Sequence, residues 1–308
     1  MRLPIFFYRS KQQGLTLIEV MIALTLGLVL ILIVTGIVVH SKSTQAAQTD
    51  LAAMQDTARF ALDNISRSVR QAGYLNYDEL DTSLESSEAR DANVMGFDAK
   101  SMSAKTANIS QPIASSNNSS DILALRFEGS GQPADGSILN CAGYAEAAEN
   151  TRAWSIYYVA NSSGEPALFC KYRGKKGSYE SISIALGIES FQVLYGINFG
   201  SSGNGPTEQF LSATDIAALD AHISPSELSK KTHWKKVTSV KVALLIRGSS
   251  KSRMDEATIH TLFGPTYNNQ NDAGTQLDEA KLPKSAQAYF RKIYSTTIEL
   301  NNPNSSEQ

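Results

Sequence analysis

From Val20 to Val39 the chain runs for about 20 residues without a charged side chain, and this stretch constrains everything around it. A helix of that length spans about 30 Å, the thickness of a bilayer's hydrocarbon core. The residues before it, MRLPIFFYRSKQQG, carry Arg2, Arg9 and Lys11 and no acid. A basic flank on the N-terminal side keeps that end in the cytoplasm and exports the chain beyond Val39. The remainder is ordinary globular sequence. With 308 residues and 42% hydrophobic content there is material for one core or two. A formal net charge of −2 excludes a global basic field for nucleic acid.

Three readings of the N-terminal segment compete. A secretory signal peptide has a shorter apolar core and a small-residue cleavage site after it; here the core is long and TGIVVHSKS is a poor site of that kind. An uncleaved anchor explains the length and the basic flank. It does not explain Glu19, a carboxylate at the membrane end of the helix that costs roughly 2–4 kcal/mol if held deep in lipid. The third reading rests on Gly14–Val20, G-L-T-L-I-E-V, which resembles the cleavage motif of type IV prepilins and type II secretion pseudopilins. The resemblance implies cleavage by the prepilin peptidase between Gly14 and Leu15, and N-methylation of Leu15. It also makes Glu19 the glutamate that pairs with a neighbouring subunit's N-terminal amine and sets the assembly register. Family members usually begin with Phe; Leu15 keeps the position apolar. Glycine at position 14 lets the backbone enter a tight active site, since it has no Cβ. Low dielectric strengthens such a pairing and makes an unpaired carboxylate costly.

Beyond the span, no Gly or Pro interrupts the sequence between Ile37 and Ala72. Apolar residues recur at Leu51, Met54, Ala58, Ala61, Ile65, Val69 and Ala72 with helical spacing. This predicts an amphipathic continuation of the membrane helix, with Gly73 as its C-cap. Gly27 and Gly36 are candidate points of bending or local melting. Residues 76–120 are polar, with acids between Asp78 and Asp91 and a Ser/Asn run over Ser115–Ser120, and predict an irregular connection with a short strand. Strand signals come next at Asp121–Phe127, Ser155–Ala160, Ala167–Tyr172, Ile188–Phe199, Val237–Arg247 and Ser295–Leu300, with a helix near Thr214–His222 behind a Gly200–Gly205 loop. The result is α+β: one long helix followed by an antiparallel sheet.

RSVRQAGY (67–74), DILALRF, ALFCKY, FQVLYGIN (191–198), VTSVKVALLIRG (237–248) and YSTTIELNN (294–302) occur in an order similar to that of PilW-type minor pilins, relatives of the J-type minor pseudopilins of type II secretion. That resemblance implies a pilin fold with a long, partly transmembrane helix packed on an antiparallel head. It divides the chain into a leader (1–14), a transmembrane part (15–39), an exported half-helix (40–73) and a β-rich head (74–308). It implies a minor pilin that primes type IV pilus assembly at or near the tip and supports pilus biogenesis and twitching motility, with DNA uptake as a further role. Implied partners are the major pilin, other minor pilins of the V, X, E and FimU/H type, a PilY-type tip adhesin, the prepilin peptidase and the inner-membrane assembly platform. The protein would sit in the inner membrane with its head in the periplasm, and at the pilus tip after assembly. A pseudopilus-tip protein and a pilus-displayed adhesin or DNA-binding module are the alternatives.

Two cysteines, Cys141 and Cys170, lie in the exported part. An oxidising compartment permits a disulfide between them; two buried free thiols are the alternative. His40, His222, His233 and His260 form no metal-ligand spacing, and no GxSxG, HExxH or Walker motif is present. Neither an enzyme, a cofactor nor a metal is expected. RGKKGS at 173–178 lacks phosphate-loop spacing and reads as a hairpin tip. Lys230, Lys231, Lys235, Lys236 and Lys241 lie near Trp234. Salt-sensitive contact with nucleic acid is the less favoured reading of this cluster, behind a solvated face or an acidic partner.

Overall fold

The computed structural model describes residues 14–76, 91–104, 109, 111–115, 117–147, 152–174, 177–200, 205–251, 253 and 256–303. The leader up to residue 13, the acidic run at 77–90, Ser116, Lys175, Lys176 and residues 201–204 lie outside them. The chain forms two compact units, Met1–Gln48 and Thr49–Gln308.

Helix α1 (Leu17–Gln71) is continuous, and Gly27 and Gly36 stay helical within it. Its residues up to Gln48 make up the described part of the first unit. There, every large apolar side chain from Leu15 to Val39 is exposed. The hydroxyls of Thr25 and Thr35 donate to the carbonyls of Ile22 and Ile31 at 2.9 and 2.7 Å, so neither needs a solvent partner.

In the second unit the predicted stripe is the buried face of α1: Met54, Ala58, Ala61, Ile65, Val69 and Ala72 are all under 3% exposed. Leu51 departs from the prediction and is only half-buried, because Asp50 takes the inward position. The Asp50 carboxylate accepts from Ser249 Oγ, Ser250 Oγ and Ser250 N at 3.1–3.3 Å. Gly73 ends the helix at φ +77°, and its N–H donates to the Arg126 carbonyl at 2.8 Å. A side chain would be strained there, and an added Cβ would meet the Asn302 carbonyl at 2.3 Å.

The strands come in chain order: β1 (Val94–Phe97), β2 (Lys100–Ser101), β3 (Ile113–Ala114), β4 (Ile122–Phe127), β5 (Ala153–Ser162), β6 (Glu165–Arg173), β7 (Tyr179–Leu186), β8 (Ile188–Ile197) and β9 (Gln209–Leu211). Helices α2 (Ala213–Asp220) and α3 (Leu228–Lys231) precede β10 (Val237–Arg247), β11 (Ile259–Thr261) and β12 (Gln276–Asp278); helix α4 (Lys284–Gln287) precedes β13 (Arg291–Glu299). The expected antiparallel β-structure is present, but divided. One sheet has the order β1-β4-β5-β6-β7, a second β13-β10-β8-β9, and β2-β3 and β11-β12 form small pairs. Strand β7, absent from the strands expected above, is an edge with mostly half-exposed residues; Ile182, Ile184 and Leu186 alternate along it, and Ile182 and Ile184 pack on the main core.

Alternation along the strands explains how one helix and two sheets share a core. Val240, Val242, Leu244 and Ile246 of β10, with Phe191, Val193, Tyr195 and Ile197 of β8, face the cluster that includes α1, Leu123 and Leu125 of β4, and Tyr157 of β5. The intervening Ala243 and Leu245 pack against Leu262 and Leu277. Strand β8 is buried along all ten residues, which fits its place between β10 and β9 with both faces covered.

Because Ile65 is fully buried and Phe60 is 56% exposed, truncation at the two sites should differ. Ile65→Ala is expected to cost about 2–5 kcal/mol. Phe60→Ala should stay within about 0.5 kcal/mol. Urea unfolding of the full chain in detergent, followed by tryptophan fluorescence, measures both.

Candidate functional site

The segment Gly14–Glu19 is built by helix-capping chemistry. Thr16 precedes α1, and its N–H and hydroxyl both donate to Glu19 Oε2, at 2.8 and 2.9 Å. The Glu19 N–H points back to Thr16 Oγ1 at 3.4 Å. This is a capping box, in which an N-cap threonine and a glutamate three residues on satisfy each other's orphan groups. A carboxylate in the first turn is also favoured by the helix dipole. Glu19 thus has partners within its own chain, a role distinct from the pairing between subunits that the cleavage motif implies, although T-x-x-E is legible in the sequence. Oε1 takes no hydrogen bond among the described residues. Gly14 and Leu15 are exposed, Leu15 by 78%, and a Cβ on Gly14 would meet nothing within 4 Å. The backbone at the expected cleavage point is therefore accessible.

The second feature fastens α1 to the head. Cys141 and Cys170 form a disulfide with Cα atoms 5.9 Å apart, and both are buried. It joins the loop before β5 to β6 at the point where α1 crosses. Asn64 Nδ2 donates to the Cys141 carbonyl at 3.1 Å, and the Cys141 N–H donates to Ser155 Oγ at 2.9 Å. Beside it, Tyr157 Oη donates to Asn64 Oδ1 at 2.6 Å and lies 2.7 Å from Ser68 Oγ. Burial pushes the Tyr157 phenol above its ordinary range, with the Ser68 bond opposing, so the hydroxyl stays protonated and available as donor. Gln71 adds a bond to the Leu139 carbonyl at 3.0 Å.

The lysines near Trp234 fall on three elements. Lys230 and Lys231 lie on α3, Lys235 and Lys236 follow in a single 3₁₀ turn, and Lys241 is on β10, 5.9 and 5.7 Å above the Phe210 and Phe263 rings. Lys231 is paired with Glu227 at 2.6 Å. His233 Nδ1 lies 2.7 Å from Asp220 Oδ1, and His260 Nε2 lies 3.0 Å from Glu279 Oε1. Both imidazoles have acidic partners in place. Of the 173–178 segment, Lys175 and Lys176 lie outside the described residues; on either side of them Gly174 N donates to the Ser178 carbonyl at 2.8 Å.

Replacing both cysteines by serine should lower stability by about 3–4 kcal/mol, the chain-entropy value for a loop of this size. Thermal melts of the two full-length proteins, with alkylation under non-reducing conditions to confirm the bond in the parent, measure it.

Comparison with known proteins bears on both features. The family described as type IV pilus-assembly protein W matches residues 156–302, and the prokaryotic N-terminal methylation motif matches residues 9–35. The first match begins in β5 and runs through the end of β13; the second brackets Gly14–Glu19. Among solved structures, a type IV-like pilin from Thermus thermophilus aligns over 80% of this chain and 95% of its own, at 12% identity and a TM-score of 0.40. No curated protein matches the sequence.

Proposed function

We propose, for a chain that belongs to the PilW family of type IV pilus-assembly proteins, the role of a minor pilin that primes pilus assembly and remains at or near the pilus tip. The observation that carries this reading is the division of α1. Its Thr49–Gln71 part is built into a head, while the apolar side chains from Leu15 to Val39 are bare. Such a surface requires cover from outside the chain. Lipid supplies it before assembly, and other pilin helices after it. Lipid tails are as apolar as the helix itself, so the move between the two gains little from hydrophobicity and depends on packing and polar pairing. Within this account, cleavage after Gly14 creates an amine at Leu15, and Glu19 pairs with the amine of a neighbouring subunit. The capping box gives Glu19 a resting arrangement while the subunit waits in the membrane.

The head suits a place occupied once. It carries more than 200 residues, two larger sheets and two small strand pairs, a bulk hard to repeat at every subunit of a tight filament. In this reading the head lies in the periplasm before assembly. Its neighbours are the other minor pilins, the major pilin, the PilY-type adhesin and the assembly platform, and its cellular outputs are twitching motility and, as a further role, DNA uptake. The paired Lys231 gives no support to a dedicated DNA-binding face.

Glu19→Gln separates capping from charge, because glutamine also completes a capping box. The variant is expected to be processed at Gly14 but to reduce sheared surface pili at least about ten-fold, since the neighbour's buried amine loses its counter-charge. Normal piliation would remove the pairing role. Deletion of the gene in its host, scored for surface pili, twitching and type II secretion of a reporter, tests the wider reading. Loss of pili and twitching with secretion intact is expected. Loss of secretion with pili intact would instead make the protein a pseudopilus component.

A further inference from the structure

Three aspartates far apart in sequence meet where the two main sheets abut. Asp98 follows β1, Asp121 enters β4, and Asp272 lies in the loop between β11 and β12; one carboxylate oxygen from each falls within 4.8 Å of the others. Asp121 is 1% exposed and Asp272 4%. The surroundings fix all three. Asp98 accepts from the N–H groups of Ala213 and Thr214 at 3.1 and 2.7 Å. Asp121 accepts from Ala99 N and Val193 N, both at 2.9 Å. The Asp272 loop packs so closely on the entry to β4 that a Cβ on Gly274, at φ +92°, would meet the Ser119 carbonyl at 2.5 Å.

Backbone donors account for the carboxylates at 98 and 121, but not for the one at 272. Asp272 Oδ2 accepts from the Tyr267 hydroxyl at 2.6 Å. Oδ1 is fully buried and has no hydrogen-bond partner among the described residues. Three other buried acids in the head each have an arginine. Glu146 pairs with Arg173 at 3.4 Å, Glu189 with Arg291 at 2.5 Å and Glu279 with Arg253 at 2.5 Å. No arginine, lysine or histidine pairs with Asp98, Asp121 or Asp272 among the described residues. Burial, and next the charge of Asp98, push the Asp121 carboxyl well above the ordinary range; burial, with Asp98 and Asp215 adding to it and the Tyr267 bond opposing, raises Asp272 to about 7. Three carboxylates brought together without a basic partner among the described residues, one of them with a fully buried oxygen that nothing satisfies, form a site that a cation would stabilise.

We propose that Asp98, Asp121 and Asp272 bind one divalent cation of the size and hardness of Ca2+, which ties the turn after β1, the entry to β4 and the β11–β12 loop together. The donors are all oxygens, which suits a hard cation and disfavours the softer metals that seek His or Cys. Two oxygens on opposite sides of Ca2+ are separated by about 4.6–5.2 Å, whereas Mg2+ holds them to about 4.0–4.2 Å. The limit of 4.8 Å on the three oxygens admits the larger ion, and the flexible coordination of Ca2+ asks less of residues fixed on three separate segments than the near-ideal octahedron of Mg2+. This inference stands on the Thr49–Gln308 unit alone and is independent of the role proposed for Glu19.

The test uses the full chain in detergent, stripped with EDTA and then titrated with CaCl2 or MgCl2 by calorimetry, with parallel thermal melts. One Ca2+ per chain is expected, with a Kd between about 10⁻⁶ and 10⁻³ M and weaker Mg2+ binding. At a hundred-fold excess over Kd, Tm should rise by about 5–10 °C. Asp272→Asn and Asp121→Asn should each weaken binding at least ten-fold and abolish the Ca2+ response of Tm. The parent protein with and without Ca2+ keeps the test decisive if a variant fails to fold. Absence of binding and of any Tm shift at about 10 mM Ca2+ would overturn the proposal. So would Ca2+ binding that survives in Asp272→Asn, or Mg2+ binding tighter than Ca2+.

Discussion

The whole structure depends on how α1 is covered. From Thr49 to Gln71 the helix has its cover built in, a stripe of small and medium apolar residues pressed into a core shared by two sheets. From Leu15 to Val39 the apolar side chains lie exposed. At about 25 cal/mol per Å2 of apolar surface, water cannot be the environment of that segment. The helix satisfies its own peptide groups, and Thr25 and Thr35 satisfy theirs against it, so little polar chemistry remains in the span to prefer one apolar environment over another. Glu19 is the exception. Its bonds to Thr16 are local and reversible, and in the account offered here they hold the carboxylate until an amine from another subunit competes for it.

The buried half of α1 is held by shape and by polar anchors together. Alanines at 58, 61 and 72 let the helix approach the sheets closely, and Asn64, Ser68 and Gln71 bond to groups on the sheet side of the interface. Buried polar groups of this kind fix register, because a slip by one residue leaves them unsatisfied at about 1–3 kcal/mol each. The disulfide fixes the partner surface in turn, since its loop provides the carbonyls of Leu139 and Cys141 that Gln71 and Asn64 use. A subunit whose exposed segment is moved between environments benefits from a head that does not shift on its helix.

Much of this is legible from residues alone. The spacing from Met54 to Ala72 identifies the buried face, and Gly73 marks the helix end, because both arise from local periodicity and backbone sterics. The alternation in β8 and β10 is equally clear, since each of these long strands presents one face to the main core. Leu51 is misplaced by periodicity because hydrophobicity cannot foresee that Ser249 and Ser250 solvate Asp50. The division into two sheets is not visible, as strand pairing between distant segments leaves no local signal. Strand β7 carries the same kind of signal as β8 and β10, in Ile182, Ile184 and Leu186, although the strands expected from the sequence omit it. The Thr16–Glu19 box is written in the sequence as T-x-x-E, but the cleavage motif that overlaps it points to Glu19 as a contact between subunits and hides its local role. The meeting of Asp98, Asp121 and Asp272 cannot be read at all, the first pair being 23 positions apart in the chain and the second 151.

The most direct test of the central claim is the intact mass of the protein purified from its native membranes. The account predicts a chain that begins at Leu15, carries one methyl group on its α-amine and has lost the residues up to Gly14. A chain that still begins at Met1 would contradict it. The segment would then be a permanent anchor, and neither the exposed helix nor Glu19 would have the amine on which the proposed assembly step depends.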